Sequence, residues 1–268
     1  MSKYHILSVK TDTNTIDYLK FGYGERAFVM IPGLSVKSVM ISANAIASAY
    51  AEFAERYTVY VFDRPQDMKY GVTVADIAEE TAKAMKVLKI SNADVFGTSQ
   101  GGMIAQLIAI NHPHLVRRLV LGSSAARLNI KAKEATANWC TLAESGRAEE
   151  LCRDFINKVY SKQFTEKYGE MLVHLMSDCS DEELLRFVTC THSSDGFDIT
   201  GEIKKIKCPV LVLGADNDYV LTGEASREIA DILSCEIYMY GEPYGHAVYD
   251  EAPDYKQRLL DFYGKEGE

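Results

Sequence analysis

Short apolar runs alternate with helical patterns along most of this chain, and that alternation restricts the fold more than any other feature. The most regular helical pattern covers residues 73–88, where apolar residues recur at three- and four-residue spacing. It opens with Thr73 and Asp76, a pair suited to capping a helix. Strands separated by helices in this way pair in parallel, so the sequence predicts an α/β fold with a parallel sheet and helices on both faces.

Eight strands and five helices make up this alternating part of the chain. The first two strands are joined by a polar turn at residues 11–14, as in an antiparallel meander. The predicted strands cover residues 4–11, 16–21, 27–31, 58–62, 93–96, 118–121, 209–213 and 235–240. The predicted helices cover residues 43–53, 73–88, 100–111, 223–233 and 252–263.

The alternation stops between residues 125 and 200, where helical patterns follow one another without a strand. They cover residues 133–144, 148–160, 165–176 and 181–191, and Ser180 and Glu183 have capping-box spacing at the start of the last one. We therefore predict a core domain of residues 1–124 and 201–268, interrupted by a helical cap of residues 125–200.

Composition excludes several classes of protein. The net charge of −9 argues against a nucleic-acid binder, which needs clustered Lys and Arg, and the pairs Arg117-Arg118 and Lys204-Lys205 are expected to be solvated. The first residues lack the pattern of a secretory signal, and no apolar run reaches the roughly 20 residues that span a bilayer. We expect a cytoplasmic protein without a membrane span.

The six cysteines are widely separated, and none has the spacing of a metal site. Reduced thiols are expected, together with no metal and no organic cofactor. No heptad pattern or apolar strip indicates an oligomeric state.

The stretch Gly97-Thr-Ser-Gln-Gly-Gly102 falls between a predicted strand and a predicted helix. A Gly-x-Ser-x-Gly turn in that position holds its serine in a strained backbone at the carboxyl edge of the sheet. The flanking glycines, Gly97 and Gly101, leave room for the neighbouring strand and helix. Ser99 is therefore a candidate nucleophile.

A serine nucleophile needs a base, and the base needs an acid to orient it. Of the six histidines, His246 lies between the last predicted strand and the last predicted helix, where a loop can reach Ser99. The acid is expected after an earlier strand, and the stretch Leu213-Gly-Ala-Asp-Asn-Asp-Tyr-Val220 offers Asp216 and Asp218.

The order Ser, Asp, His on this scaffold resembles the α/β-hydrolase superfamily, in particular small serine esterases with a helical cap. The resemblance includes Gly97–Gly102, Gly245-His246 with Glu251 and Pro253 after it, and the segment from Asn111 to Leu121. It implies a mostly parallel eight-stranded sheet with helices on both faces and an inserted cap. The family's acid is followed by two apolar residues and proline, which favours Asp218 with Thr222 in the proline's place.

The same resemblance implies an oxyanion hole formed by backbone N–H groups. Ile31-Pro-Gly-Leu34 occupies the place of the family's oxyanion turn, so Leu34 and Gln100 are the expected donors and Gly33 allows the backbone to approach. Two departures affect this side of the pocket. Pro32 replaces the usual histidine, and the loop from Asp63 to Gly71 lacks the family's glycine-rich pattern.

The function implied is hydrolysis of a small ester or related acyl compound through an acyl-serine intermediate. The same triad also serves C–C bond hydrolases, lactonases, thioesterases and cofactor-free perhydrolases, and a non-enzymatic ligand receptor is a further alternative. The cap offers eight large apolar residues that could line a pocket, none of which the sequence alone assigns to binding. They are Trp139, Phe155, Tyr160, Phe164, Tyr168, Met171, Met176 and Phe187.

Overall fold

The computed structural model describes residues 3–265, which form one eight-stranded sheet flanked by helices. The strands are β1 (Tyr4–Lys10), β2 (Thr15–Phe21), β3 (Arg26–Ile31), β4 (Tyr57–Pro65), β5 (Ala93–Thr98), β6 (Val116–Gly122), β7 (Val210–Ala215) and β8 (Glu236–Tyr240). The helices are α1 (Ala43–Ala49), α2 (Val74–Val87), α3 (Gln100–Asn111), α4 (Ile130–Glu144), α5 (Ala148–Val159), α6 (Lys162–Ser177), α7 (Asp181–His192), α8 (Gly223–Leu233), α9 (Val248–Glu251) and α10 (Tyr255–Gly264).

The strand order is β1-β2-β4-β3-β5-β6-β7-β8. Strand β2 runs antiparallel to both of its neighbours, and every pair from β4 to β8 is parallel. The predicted α/β-hydrolase architecture of a mostly parallel eight-stranded sheet is therefore confirmed. The carboxyl ends of the parallel strands meet at one edge, which brings the loops after β3, β5, β7 and β8 together.

Apolar side chains alternate between the two faces of the sheet and fill a core on each side. In β3, Val29 and Ile31 belong to one core and Phe28 and Met30 to the other. All six residues of β5 are buried, as expected of a strand covered by helices on both faces.

Two helix starts match the predicted caps. Thr73 and Ser180 each accept a hydrogen bond from the third helical residue, and Asp76 and Glu183 complete the two capping boxes. The helix predicted over residues 252–263 begins three residues later, as α10 at Tyr255, and a short helix that was not predicted, α9, precedes it. Pro253 explains the break between the two helices, since the residue before a proline is forced into extended backbone, as Ala252 is (ψ 124°).

Helices α4 to α7 lie between β6 and β7, where the strand–helix alternation was predicted to stop. The two ends of this segment meet, because Arg127 and Asp198 form an antiparallel bridge and the Ile199 N–H donates to the Ala126 carbonyl at 2.8 Å. We call residues 125–200 the helical insertion.

The basic pairs differ in their surroundings. Lys204 and Lys205 are exposed as expected. The expectation for the other pair was wrong: Arg117 is 2.6 Å from the buried carboxylate of Asp94, and the buried Arg118 donates to the Lys265 carbonyl. These arginines join β5 and β6 to the end of α10.

All six cysteines are free, three of them buried and three half-buried. Over residues 3–265, no helix combines the length and apolar character needed to cross a membrane.

Candidate active site

Ser99 lies in the sharp turn between β5 and α3. Its backbone has φ 52° and ψ −125°, a combination that costs a non-glycine residue about 1–3 kcal/mol. Two hydrogen bonds hold the turn: the Ser99 N–H donates to the Gly122 carbonyl, and the Ser124 hydroxyl donates to the Ser99 carbonyl, both at 2.9 Å. The strained conformation is therefore supported from β6 and the loop after it.

Three predicted glycines allow the backbone around Ser99 to pack closely. A Cβ on Gly101 would lie 1.9 Å from the Ile31 carbonyl oxygen, and one on Gly97 would lie 2.6 Å from the Gly101 carbonyl oxygen. A Cβ on Gly33 would lie 2.9 Å from Ser99 Cβ. Such distances are far below van der Waals contact, so β3, its following turn and the Ser99 turn can approach only through glycine.

His246 and Asp218 form a buried pair. His246 Nδ1 lies 2.8 Å from Asp218 Oδ2, and the two residues are 3% and 5% exposed. The other carboxylate oxygen accepts the N–H groups of Val220 and Leu221 at 2.7 and 2.9 Å. Burial by itself raises the pKa of Asp218, but the charge and hydrogen bond of His246 and the two N–H groups outweigh it and leave the pKa below its ordinary value.

Asp216, the other acid candidate, has a different environment. It is exposed and pairs with Arg227 on α8. The geometry therefore associates His246 with Asp218 and leaves Asp216 on the surface.

Ser99 and His246 line the same cavity, which has a volume of about 480 Å³. Among residues 3–265, neither the Ser99 hydroxyl nor the second ring nitrogen of His246 has a hydrogen-bonding partner. Hydrogen bonds between catalytic groups are often long without substrate and shorten when it binds. Both groups are thus free to act on a molecule in the cavity.

Leu34 and Gln100 line this cavity next to Ser99. Gln100 is the first residue of α3, so its N–H has no partner within the helix. Leu34 directly follows Gly33. In the described part of the chain, neither N–H donates a hydrogen bond. Leu34 and Gln100 thus each have a backbone N–H without a partner in the described residues, and both residues line the cavity with Ser99.

A family model for the alpha/beta hydrolase fold matches residues 26–253. The chain belongs to this family. The match begins at β3 and ends after His246, so it includes every candidate site residue.

The sequence relatives of this hydrolase include a deacetylase and an enol-lactonase. A pyrrolizixenacetamide deacetylase of Xenorhabdus hominickii is 26% identical over 187 residues, 68% of each chain. The 3-oxoadipate enol-lactonase 2 of Acinetobacter baylyi is 21% identical over 215 residues, 77% of each chain. The crystal structure of MGS-M2, an alpha/beta hydrolase enzyme from a Medee basin deep-sea metagenome library, has a TM-score of 0.87 and 22% identity over 98% of both chains.

A buried polar network next to Ser99 was not found from the sequence. In this hydrolase, Arg64 Nε and Nη2 both donate to Gln100 Oε1 at 3.1 Å, and Nη2 also donates to the Pro32 carbonyl at 2.7 Å. The Gln100 amide donates to the Cys190 carbonyl at 2.7 Å and to Ser194 Oγ at 2.9 Å. Arg64 thus links Pro32 to Gln100, and the Gln100 amide extends the network to the C-terminal end of α7.

Both departures from the family pattern lie at this network. Pro32 accepts from Arg64 through its main-chain carbonyl, and Arg64 lies at the end of β4, in the segment that lacks the glycine-rich pattern. Asp63 beside it accepts hydrogen bonds from Ser38 at 2.6 Å and from Arg186 at 2.8 Å. The unusual residues Pro32 and Arg64 were the available signal, but only the structure shows that they contact each other.

The helical insertion is also attached to the histidine loop. The Ala247 N–H donates to the Val159 carbonyl at 2.8 Å, and the Ser161 N–H donates to Glu251 Oε1 at 2.9 Å. Ser161 also caps α6 with its side chain. The junction of α5 and α6 is therefore tied to residues on both sides of α9.

The cavity lining is mostly apolar; part of it comes from the insertion and the larger part from outside it, above all from residues 30–50. Of the eight insertion residues considered from the sequence, five line the cavity, namely Trp139, Phe155, Tyr160, Phe164 and Met176. Trp139 and Phe155 pack with ring centroids 4.8 Å apart. Over residues 3–265, no group of His, Cys, Asp and Glu is arranged to hold a metal ion.

Proposed function

We propose that this hydrolase cleaves a small ester or a related acyl substrate through an acyl-Ser99 intermediate. The observation that carries the proposal is the arrangement around one cavity. Ser99 has a strained backbone, and its hydroxyl has no partner in the described residues. Ser99 and His246 line the same cavity, and His246 Nδ1 lies 2.8 Å from the buried, ionised Asp218. Serine hydrolases on unrelated folds share this arrangement of roles.

In the first half of the reaction, Ser99 Oγ attacks the acyl carbon while His246 Nε2 takes its proton. The resulting imidazolium is stabilised by Asp218, whose lowered pKa keeps it ionised. His246 then gives the proton to the leaving alcohol. In the second half, His246 takes a proton from water, the hydroxide attacks the acyl-serine, and Ser99 leaves with the proton.

The negative charge on the tetrahedral oxygen is stabilised by the N–H groups of Leu34 and Gln100. Both donors have no other partner in the described residues, so no hydrogen bond has to break before they bind the oxyanion. Loss of one such donor typically costs roughly 3 kcal/mol of activation free energy.

Residues 125–200 act as a cap that shapes the pocket, over a core domain of residues 1–124 and 201–268. The apolar lining that the cap and residues 30–50 supply together suits an acyl or alcohol group with substantial apolar surface. A lactone is a second substrate class, because its ring opens through the same acyl-serine. The enol-lactonase among the relatives supports this alternative.

The test is a panel of p-nitrophenyl esters from acetyl to dodecanoyl, run beside a simple lactone and followed by labelling with a fluorophosphonate. We expect ester turnover and labelling in the wild-type protein, both abolished by Ser99→Ala. Ser48→Ala, on the exposed side of α1, is the matched control and should change neither. Turnover that survives Ser99→Ala, or a folded wild-type protein that fails to label, would contradict the proposal.

A further inference from the structure

One carboxylate lines the cavity without a role in the proposed reaction. Asp250 lies on α9, four residues after His246, lines the cavity and is an exposed residue. Among residues 3–265, the only hydrogen bond to its carboxylate is a long contact of 3.5 Å from the Tyr160 hydroxyl. In the same part of the chain, no Lys or Arg forms an ion pair with it within 4 Å, and Lys256 acts on it only from a greater distance. The carboxylate therefore has little compensation from the protein.

Aromatic rings surround this carboxylate. Tyr50, Tyr160, Phe164 and Tyr249 all line the cavity, and we call these four residues the aromatic wall. The rings of Tyr160 and Phe164 stack with centroids 4.5 Å apart. Burial first, and then the charge of Asp250, raise the pKa of each of the three tyrosines, so all three phenols lie within electrostatic reach of that carboxylate.

The other charges nearby do not neutralise Asp250. Lys256 Nζ lies 5.3 Å from the centroid of the Tyr50 ring, and the Glu251 carboxylate is engaged by Ser161. Burial raises the pKa of Asp250 to about 6, with Glu251 adding to the rise and with Lys256 and the Tyr160 hydroxyl opposing it. At neutral pH the carboxylate is therefore ionised but poorly compensated.

We propose that Asp250 and the aromatic wall form a subsite for an ammonium group of the substrate. Ring faces attract a cation, most strongly where water is excluded, and a carboxylate at the same place adds a full opposite charge. A bound ammonium would also bring an opposite charge next to a carboxylate whose only hydrogen bond in the described residues is a long one. The substrate class becomes an ester or related acyl compound with a cationic group, an assignment that rests on the proposed hydrolase function only for the cleavage step.

The binding part is tested without catalysis, by calorimetric titration of benzyltrimethylammonium into the Ser99→Ala protein. We expect saturable binding that Asp250→Asn weakens about tenfold, because the ammonium then loses its opposite charge. Tyr160→Leu should weaken it less, and Asp231→Asn, on the exposed side of α8, should leave it unchanged. No saturable binding, or equal affinity in the Asp250→Asn protein, would overturn the subsite.

The cleavage part compares matched esters in the wild-type protein. The first pair carries the charge on the alcohol: choline hexanoate is compared with 3,3-dimethylbutyl hexanoate. The second pair carries it on the acyl group: the p-nitrophenyl ester of 6-(trimethylammonio)hexanoate is compared with that of 7,7-dimethyloctanoate. Within each pair a quaternary nitrogen replaces a carbon. We expect kcat/KM to favour the cationic member of one pair by about tenfold or more, and Asp250→Asn to remove that preference.

The two proposals fail in different ways. Ammonium binding without cleavage of any ester would sink the proposed function and leave the subsite standing. Cleavage of both members of each pair at the same rate, with no ammonium binding, would sink the subsite alone.

Discussion

Asp218 contacts His246 and Asp250 lies four residues after it in the chain, but the surroundings of the two carboxylates differ. Asp218 accepts two backbone N–H groups and contacts His246, so its pKa stays below the ordinary value despite burial. Asp250 has one long hydrogen bond, and burial raises its pKa to about 6. The protein's own groups satisfy the Asp218 carboxylate, whereas the Asp250 carboxylate can still accept hydrogen bonds or an opposite charge from a ligand.

The same difference separates two regions of the cavity. We call the strand-end residues Ser99, Asp218 and His246, with the turns that hold them, the floor. The floor is crowded and hydrogen-bonded, whereas the aromatic wall is mostly apolar, and the Asp250 carboxylate beside it has one long hydrogen bond and no ion pair within 4 Å in the described residues. A catalytic group must be fixed before substrate arrives, while a binding wall keeps its strongest interaction for the ligand.

The largest expected effect separates the two acid candidates on the floor. Asp218→Asn should lower kcat for a p-nitrophenyl ester by about 10⁴-fold, because the amide favours the wrong histidine tautomer and cannot stabilise the imidazolium. Asp216→Asn, which loses only a surface ion pair, should stay within about twofold. Steady-state kinetics of both variants measure the contrast, and equal losses would contradict the assignment of Asp218.

Crowding of the floor is tested by Gly101→Ala. The added Cβ would lie 1.9 Å from the Ile31 carbonyl oxygen, which cannot move without shifting β3. We expect the free energy of unfolding to fall by about 3 kcal/mol or more, measured by urea denaturation. Gly201→Ala, where nothing lies within 4 Å, is the control. An unchanged stability would show that the floor can relax.

The Arg64 network predicts a smaller, kinetic effect. Arg64→Lys keeps a positive charge but cannot reach Gln100 and the Pro32 carbonyl together, since lysine lacks the planar fork. We expect kcat to fall by roughly tenfold with KM little changed, because the oxyanion donors lose their alignment while the cavity wall is untouched. Arg56→Lys, on the exposed surface, should have no effect. A rise in KM at constant kcat would instead place Arg64 in substrate binding.

Much of the floor could be predicted from the sequence, because its residues are constrained by local rules. Gly97 and Gly101 are required by close backbone approach, and His246 follows a strand end. The network of Arg64 and Gln100 and the subsite at Asp250 could not be predicted. They join residues 36 or 90 positions apart in the chain, and nothing in the local sequence fixes which distant polar groups meet. The start of α10 after Pro253 could have been predicted, because the residue before a proline disfavours helical backbone.

The smallest expected effect is on Tm and concerns the Asp250 carboxylate beside the aromatic wall. Because the folded protein raises the pKa of Asp250 from 3.8 to about 6, it binds a proton more tightly than the unfolded chain does, and stability is lost as the pH rises through that interval. Because Asp250 is exposed and solvent screens its charge, Asp250→Asn should raise Tm by only about a degree at pH 8, with the gain disappearing near pH 4. Asp231→Asn should change Tm at neither pH. A gain at pH 8 that disappears when benzyltrimethylammonium is added to both proteins would attribute the instability to the missing counter-charge, and a lower Tm in the Asn variant at pH 8 would mean that the wall already compensates its carboxylate.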